Sequence, residues 1–150
     1  LCFMNSFNLP ACQVYQPEIR FVDIDAAGIV NNATYFNYFE QSRIHFFEGL
    51  VGRKWNWHEA GMVVARHEID YRMPILFNDD IRIVTWIERV GEKSMTAAYE
   101  VLKAVEGKWV NLATAKTVMV SFNHVSGKSI AWPLQMSEPI AQFGTGRPSF

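Results

Sequence analysis

The sequence predicts an α+β domain in which a curved antiparallel sheet of about five strands wraps one long helix. Three observations carry that prediction. Residues 33–50 place apolar side chains round well over half of a helix circumference, more than a surface helix needs. From Gly61 onward the hydrophobic period changes to two. The breaks between the later runs are too short for parallel crossovers, so they join antiparallel neighbours.

Composition bounds this frame. A chain of 150 residues suits one domain with a substantial core. With 49% hydrophobic and 14% aromatic residues it is a folding sequence and not a disordered one. A formal net charge of −1 leaves no general basic surface, which argues against nucleic acid as the main partner. No apolar run reaches the length of a membrane-spanning helix, so no membrane partner is expected. Cys2 and Cys12 cannot make a disulfide framework, and reduced thiols in a cytoplasmic protein are expected. Residues 1–13 lack a basic and then apolar signal pattern and are expected as a leader, 14–140 as the domain, and 141–150 as a loose tail. Asn32-Ala33-Thr34 matches a glycosylation acceptor, which without a secretory signal is chance.

The elements follow in order. Residues 14–25 alternate, with Ile19, Phe21, Asp23 and Asp25 on one face of an extended strand, and Pro17 marks an edge or irregular start. Gly28 breaks the strand, and Asn31 or Asn32 caps a helix over residues 33–50. Gly49 and Gly52 end it, and residues 55–60 form a further short helical turn. Val63, Ala65, His67, Ile69, Tyr71 and Met73 then alternate with Val64, Arg66, Glu68, Asp70 and Arg72 as a half-buried strand. Residues 81–90, 94–103 and 109–122 complete a four-stranded meander, joined by turns at Asn78-Asp79-Asp80, Gly91-Glu92 and Glu106-Gly107-Lys108.

One stretch departs from an ordinary domain. Residues 23–43 read D-x-D-A-A-G-I-V-N-N-A-x-Y-x-x-Y-F-E-x-x-R, with a Tyr71-x-x-Pro74 segment and a Lys93-Ser94 pair further on. Together these resemble the hotdog-fold acyl-CoA thioesterases, and among them the 4-hydroxybenzoyl-CoA thioesterase-like family, over roughly residues 17–132. The resemblance implies that Asp25 is the catalytic carboxylate. It also implies that a backbone N–H at about Asn32 polarises the thioester carbonyl. Some members carry a histidine at the Asn32 position; asparagine stands here, so a histidine-assisted mechanism does not carry over. The resemblance further implies nucleotide contacts near Lys93 and Ser94. It implies a dimer or tetramer in which residues 62–66 of a neighbour complete the site, with Met62, Val63 and Val64 against the substrate. Coenzyme A is part of the substrate, and no separate cofactor is expected.

The chemistry agrees with the residues themselves. Thioester hydrolysis needs an attacking group, or an activator of water, and donors for the oxygen that gains charge. Gly28 lets the chain turn sharply. The free N–H groups and positive dipole end of the helix can then face a carbonyl that Asp25 also approaches. Tyr35 and the other rings of the helix are core first and acyl-pocket lining second. Asp23 is expected as a structural partner of the turn, Glu40 and Arg43 as an i, i+3 ion pair, and His67 as a core histidine. His45, His58 and His124 lack ligand spacing, so no metal site is expected. Three other functions fit the same frame: an acyl-carrier-protein thioesterase, a hotdog hydratase or dehydratase, and a non-catalytic acyl-CoA-binding domain. The hydratases pair a histidine with an acid, and residues 23–40 contain no histidine.

Overall fold

Helix α1 runs Thr34–Val51 and buries Tyr35, Tyr38, Phe39, Ser42, Arg43, Phe46 and Phe47, a stripe at three- and four-residue spacing. That stripe lies in the hollow of the sheet, where Phe39 stacks on Tyr99 with ring centroids 4.7 Å apart. These features belong to a computed structural model that describes residues 12–143 and 145–148. The helix start differs from expectation by one residue. Its cap position is Ala33, without a side-chain cap, while Asn31 Oδ1 accepts the Ala33 N–H at 2.9 Å and so forms the preceding turn. Gly52, at φ 79°, closes the other end and donates its N–H to Glu48 O. Residues 55–60 make turns and no helix; there Trp55 Nε1 donates to Ala60 O at 2.7 Å.

The strands are β1 (Cys12–Tyr15), β2 (Gly61–Tyr71), β3 (Ile81–Val90), β4 (Ser94–Val105), β5 (Lys108–Asn123) and the two-residue β6 (Lys128–Ser129). All pairings are antiparallel, in the order β1-β3-β4-β5-β2, with β6 on the end of β5. The expected four-stranded meander is therefore only β3-β4-β5. β2 does not pair with β3; the 72–80 connection crosses the end of the sheet and leaves β2 on β5, as an edge. This connection is anchored on the way: Ile75 is fully buried, and its carbonyl accepts the Val30 N–H at 2.9 Å.

The ends of the chain also differ. The expected strand over residues 14–25 is in fact β1, starting inside the expected leader at Cys12, followed by a 3-10 turn at Phe21–Asp23. Phe21 is 83% exposed and does not share a buried face with Asp23. Beyond β5 the chain forms a second helix, α2 (Leu134–Phe143), which carries Met136 and Ile140 into the core beside Trp132. It runs past the expected end of the domain at residue 140. Arg147 reaches the buried Glu100 at 2.6 Å. The rest of the expected leader, residues 1–11, lies outside the described residues.

Candidate active site

The site is built on the turn between the 3-10 segment and α1. Ile24 and Val30 pair as an isolated bridge, and the Asp25 N–H donates to Ile29 O at 2.8 Å, so residues 26–28 bulge outward. Gly28 makes this possible with φ 79°, a conformation costly for other residues. The two aspartates then part company. Asp23 is buried and accepts the Tyr38 hydroxyl at 2.9 Å, the Arg20 guanidinium at 2.9 Å and the Arg20 N–H at 2.9 Å. Burial alone would raise its pKa. The bonds from Arg20 and Tyr38 and the Arg20 charge outweigh that, so the carboxyl sits below the usual range. It is the anchor of the turn, as expected.

Asp25 is half-exposed and faces a cleft of about 440 Å³. Its Oδ1 accepts the Ala27 N–H at 2.8 Å and the Ile29 N–H at 3.4 Å, which fixes the carboxylate. Its Oδ2 takes no hydrogen bond from any described residue. Asn32, Tyr35, Tyr71, Arg72 and Pro74 line the same cleft. Asn32 is held by its backbone carbonyl, which accepts the Tyr71 hydroxyl at 2.8 Å. Its N–H meets no acceptor among the described residues. A fixed carboxylate with one open oxygen and an unused N–H at a helix start thus share one cleft. Burial pushes the Tyr35 phenol up to about 12, so it stays protonated at neutral pH.

β2 runs against α1, leaving a seam. Tyr71 meets Tyr35 edge-on (5.0 Å), and His67 meets Phe36 (4.8 Å). Beyond that contact lies a second cavity of about 360 Å³, where Met62 and Val64 face Glu40, Arg43, Ile44 and Phe47. A bulge at Ala65 makes this possible: Val64 pairs with Met119 and Arg66 with the next residue, Val118. Met62 and Val64 therefore share the helix side with His67, Ile69 and Tyr71, whereas strict alternation had put Val63 and Ala65 there. Arg43 forms no ion pair with Glu40; it turns inward, 3.3 Å from the Tyr99 hydroxyl and 3.4 Å from Thr117 Oγ1. His67 is not a core residue in this chain. It is largely exposed, but its ring packs on Phe36 and bonds Thr117 Oγ1 at 2.9 Å; that partial desolvation and the Arg43 charge hold it below the ordinary imidazole range.

Comparison with known proteins decides the family. The family model of the thioesterase-like superfamily matches residues 19–140. The chain belongs to the thioesterase-like superfamily. An uncharacterized protein of Bacillus subtilis, YsmA, is 32% identical over 123 residues, covering 82% of this chain and 81% of the relative. The long-chain acyl-CoA thioesterase FadM of Escherichia coli is 26% identical over 128 residues, covering 85% of this chain and 96% of the relative. A mutant 4-hydroxybenzoyl CoA thioesterase complexed with 4-hydroxybenzoyl CoA superposes with a TM-score of 0.79, over 87% of this chain and 99% of that one. At 17% identity that likeness speaks for the fold, which is a hotdog fold. The protein is a thioester hydrolase.

In this thioesterase the turn and helix start bring Asp25, Asn32 and Tyr35 into one cleft, with Gly28 shaping the turn beside it. The remaining candidates lie elsewhere in the chain. Met62 and Val64 line the second cavity, and Val63 points to the other face. Lys93 and Ser94 are exposed in the β3–β4 turn, where Gly91 N–H donates to Ser94 O at 2.7 Å. Ser94 pairs with Val120, which pairs with Val63, so these residues sit roughly 25 Å along β2 from Tyr71. Tyr71 and Arg72 were not singled out as site residues. The Tyr71-x-x-Pro74 segment was the signal, but only the fold brings Tyr71 to Asn32. Among the described residues, no helix is long and apolar enough to cross a membrane.

Proposed function

We propose that this thioesterase hydrolyses acyl-CoA to the free acid and coenzyme A at the Asp25 cleft. The observation that carries this is the open Asp25 oxygen beside the unused Asn32 N–H. The carbonyl oxygen takes the Asn32 N–H, and the helix dipole favours the charge it gains. Asp25 Oδ2 either attacks the carbonyl carbon or takes a proton from the water that does. The tetrahedral intermediate then collapses, the C–S bond breaks, and the sulfur leaves with the electron pair and is protonated. In the direct-attack case water hydrolyses the resulting anhydride at its Asp25 carbonyl, releasing the acid and regenerating the carboxylate. A single turnover in ¹⁸O-water separates the two routes, because only direct attack leaves label in the Asp25 carboxylate.

The acyl-CoA substrate is supported by the family and by the relative named a long-chain acyl-CoA thioesterase. No histidine lines the cleft, which favours hydrolysis over a hydratase. A kcat/KM panel of aryl-CoA, short, medium and long acyl-CoA and acyl-carrier thioesters tests the assignment. Turnover of none of them would overturn it.

We further propose that a second copy of the chain completes the site. Among the described residues β2 is an 11-residue edge paired with β5 alone, and unpaired edges are liabilities. Antiparallel pairing of β2 with its own copy, about a two-fold near its middle, would bring the partner's Met62 end and Lys93 turn toward Tyr71 and the Asp25 cleft. Light scattering is expected to give a dimer or tetramer. A stable, fully active monomer would rule this out.

Lys93 and Ser94 then hold the nucleotide phosphates through an ammonium, a hydroxyl and the donors of the turn. Lys93→Ala is expected to raise KM for acyl-CoA several-fold with turnover nearly intact, the pattern of uniform binding. With a truncated pantetheine thioester the effect should vanish. Equal losses on both substrates would remove Lys93 from phosphate binding.

A further inference from the structure

The seam between α1 and β2 holds its two cavities in line. Tyr35 and Tyr71 bound the Asp25 cleft, Phe36 then lies against His67, and Arg43 and Val64 begin the second cavity. The helix packs its backbone mainly against β1 and β3, and ring contacts from Tyr35 and Phe36 join it to β2. Between the cavities the seam carries the Phe36–His67 ring contact, with centroids 4.8 Å apart.

We propose that the Phe36–His67 contact is a partition that sets acyl-chain length: while closed it confines the acyl group to the Asp25 cleft, and when Phe36 moves it opens the way to the second cavity. The proposal rests on the thioester lying at Asp25. The two rings are not equal partners. His67 is tied to Thr117 Oγ1, whereas Phe36, half-buried, is held by packing alone. Phe36 is therefore the side that moves.

The distances define which acyl groups feel the partition. From the start of α1 to Arg43 is about ten residues, or roughly 15 Å at 1.5 Å per residue. An extended chain advances about 3.8 Å per three bonds, so roughly a dozen bonds span that length. Measured from Asn32, whose N–H takes the carbonyl, Phe36 lies four residues along, or roughly 6 Å, so a butanoyl or benzoyl group ends before it and a dodecanoyl group has to pass it. What lies beyond suits methylene groups: Ile44, Phe47, Trp57, Met62 and Val64 line the cavity, with Glu40 and Arg43 its polar members.

The test compares wild type with Phe36→Ala on butanoyl-, benzoyl- and dodecanoyl-CoA. It also measures binding of non-hydrolysable butyl- and dodecyl-CoA thioethers by calorimetry. Opening the partition should raise the dodecanoyl-to-butanoyl ratio of kcat/KM at least tenfold, with a matching gain in the thioether binding ratio. Adding Ile44→Trp, which fills the second cavity from the helix side, should cancel that gain. Should Phe36→Ala melt before assay, Phe36→Leu shortens the same contact and carries the same sign. An unchanged ratio in a folded variant, or a gain that survives Ile44→Trp, overturns the proposal. Thioether binding decides this even where no thioester is hydrolysed, so failure of the partition and failure of the Asp25 assignment are distinct results.

Discussion

Asp25→Asn is expected to fold normally, to bind acyl-CoA, and to lose at least ~10²-fold in kcat, the range set by loss of a positioned acid–base group. The fold should survive because asparagine keeps a carbonyl oxygen for the Ala27 N–H, and because the side chain is half-exposed rather than packed. What goes is the negative oxygen facing the cleft, replaced by an amide that can neither attack a carbonyl nor take a proton. Steady-state kinetics on the best substrate of the panel, with a thermal melt and a binding titration alongside, separate these outcomes. Near wild-type turnover by Asp25→Asn would show that the carboxylate is not the catalytic group.

Asp23→Asn should do the opposite, costing stability and leaving the rate of the folded fraction close to wild type. Its carboxylate takes three bonds at 2.9 Å from Tyr38 and Arg20 in a nearly water-free position. Replacing it leaves the buried Tyr38 hydroxyl and the Arg20 donors facing an amide, a loss of about 2–3 kcal/mol for removal of a buried charged acceptor. For a domain of this size that is a fall of about 4–12 °C in Tm. The pH dependence has a definite sign. A carboxyl whose folded pKa is depressed stabilises fully above its unfolded value, about 3.9, and loses that contribution as pH falls through the folded value. The gap between wild type and Asp23→Asn in urea melts should thus be widest near neutrality and narrow below about pH 4. A constant gap across that window would mean that the lost stability comes from packing and not from charge.

How much of this was legible in the sequence depended on how local its cause was. α1 and the strands β3 to β5 follow from apolar periods long enough to dominate any alternative. Asp25 and Asn32 line one cleft because only seven positions separate them, with Gly28 between. The strand expected over residues 14–25 failed for a local reason that periodicity does not carry. Asp23 bonds back to the Arg20 N–H and curls the chain, so an alternating pattern becomes a 3-10 turn with Phe21 in solvent. α2 was not expected as an element, since its apolar pattern is short and holds Pro139, yet Met136 and Ile140 reach the core. The choice of β5 over β3 as the partner of β2 is a long-range matter, as is the hydroxyl of Tyr71 on Asn32. Arg43 illustrates the same limit: spacing offered it Glu40, while the sheet beneath offered it two hydroxyls.

The extra residue at Ala65 decides how β2 tolerates changes in length. Along the strand, even-numbered residues look toward the helix before it and odd-numbered ones after it. Deleting Ala65 would leave a ladder with no irregularity and every hydrogen-bonding group still matched, yet the two halves would need to share one parity. Either Met62 and Val64 would rotate to the outer surface, or His67, Ile69 and Tyr71 would, and with Tyr71 the tether on the Asn32 carbonyl. A one-residue shortening at a side chain that contacts neither cavity thus reaches the start of α1 at Asn32, while an alanine-to-serine exchange at the same place should pass unnoticed.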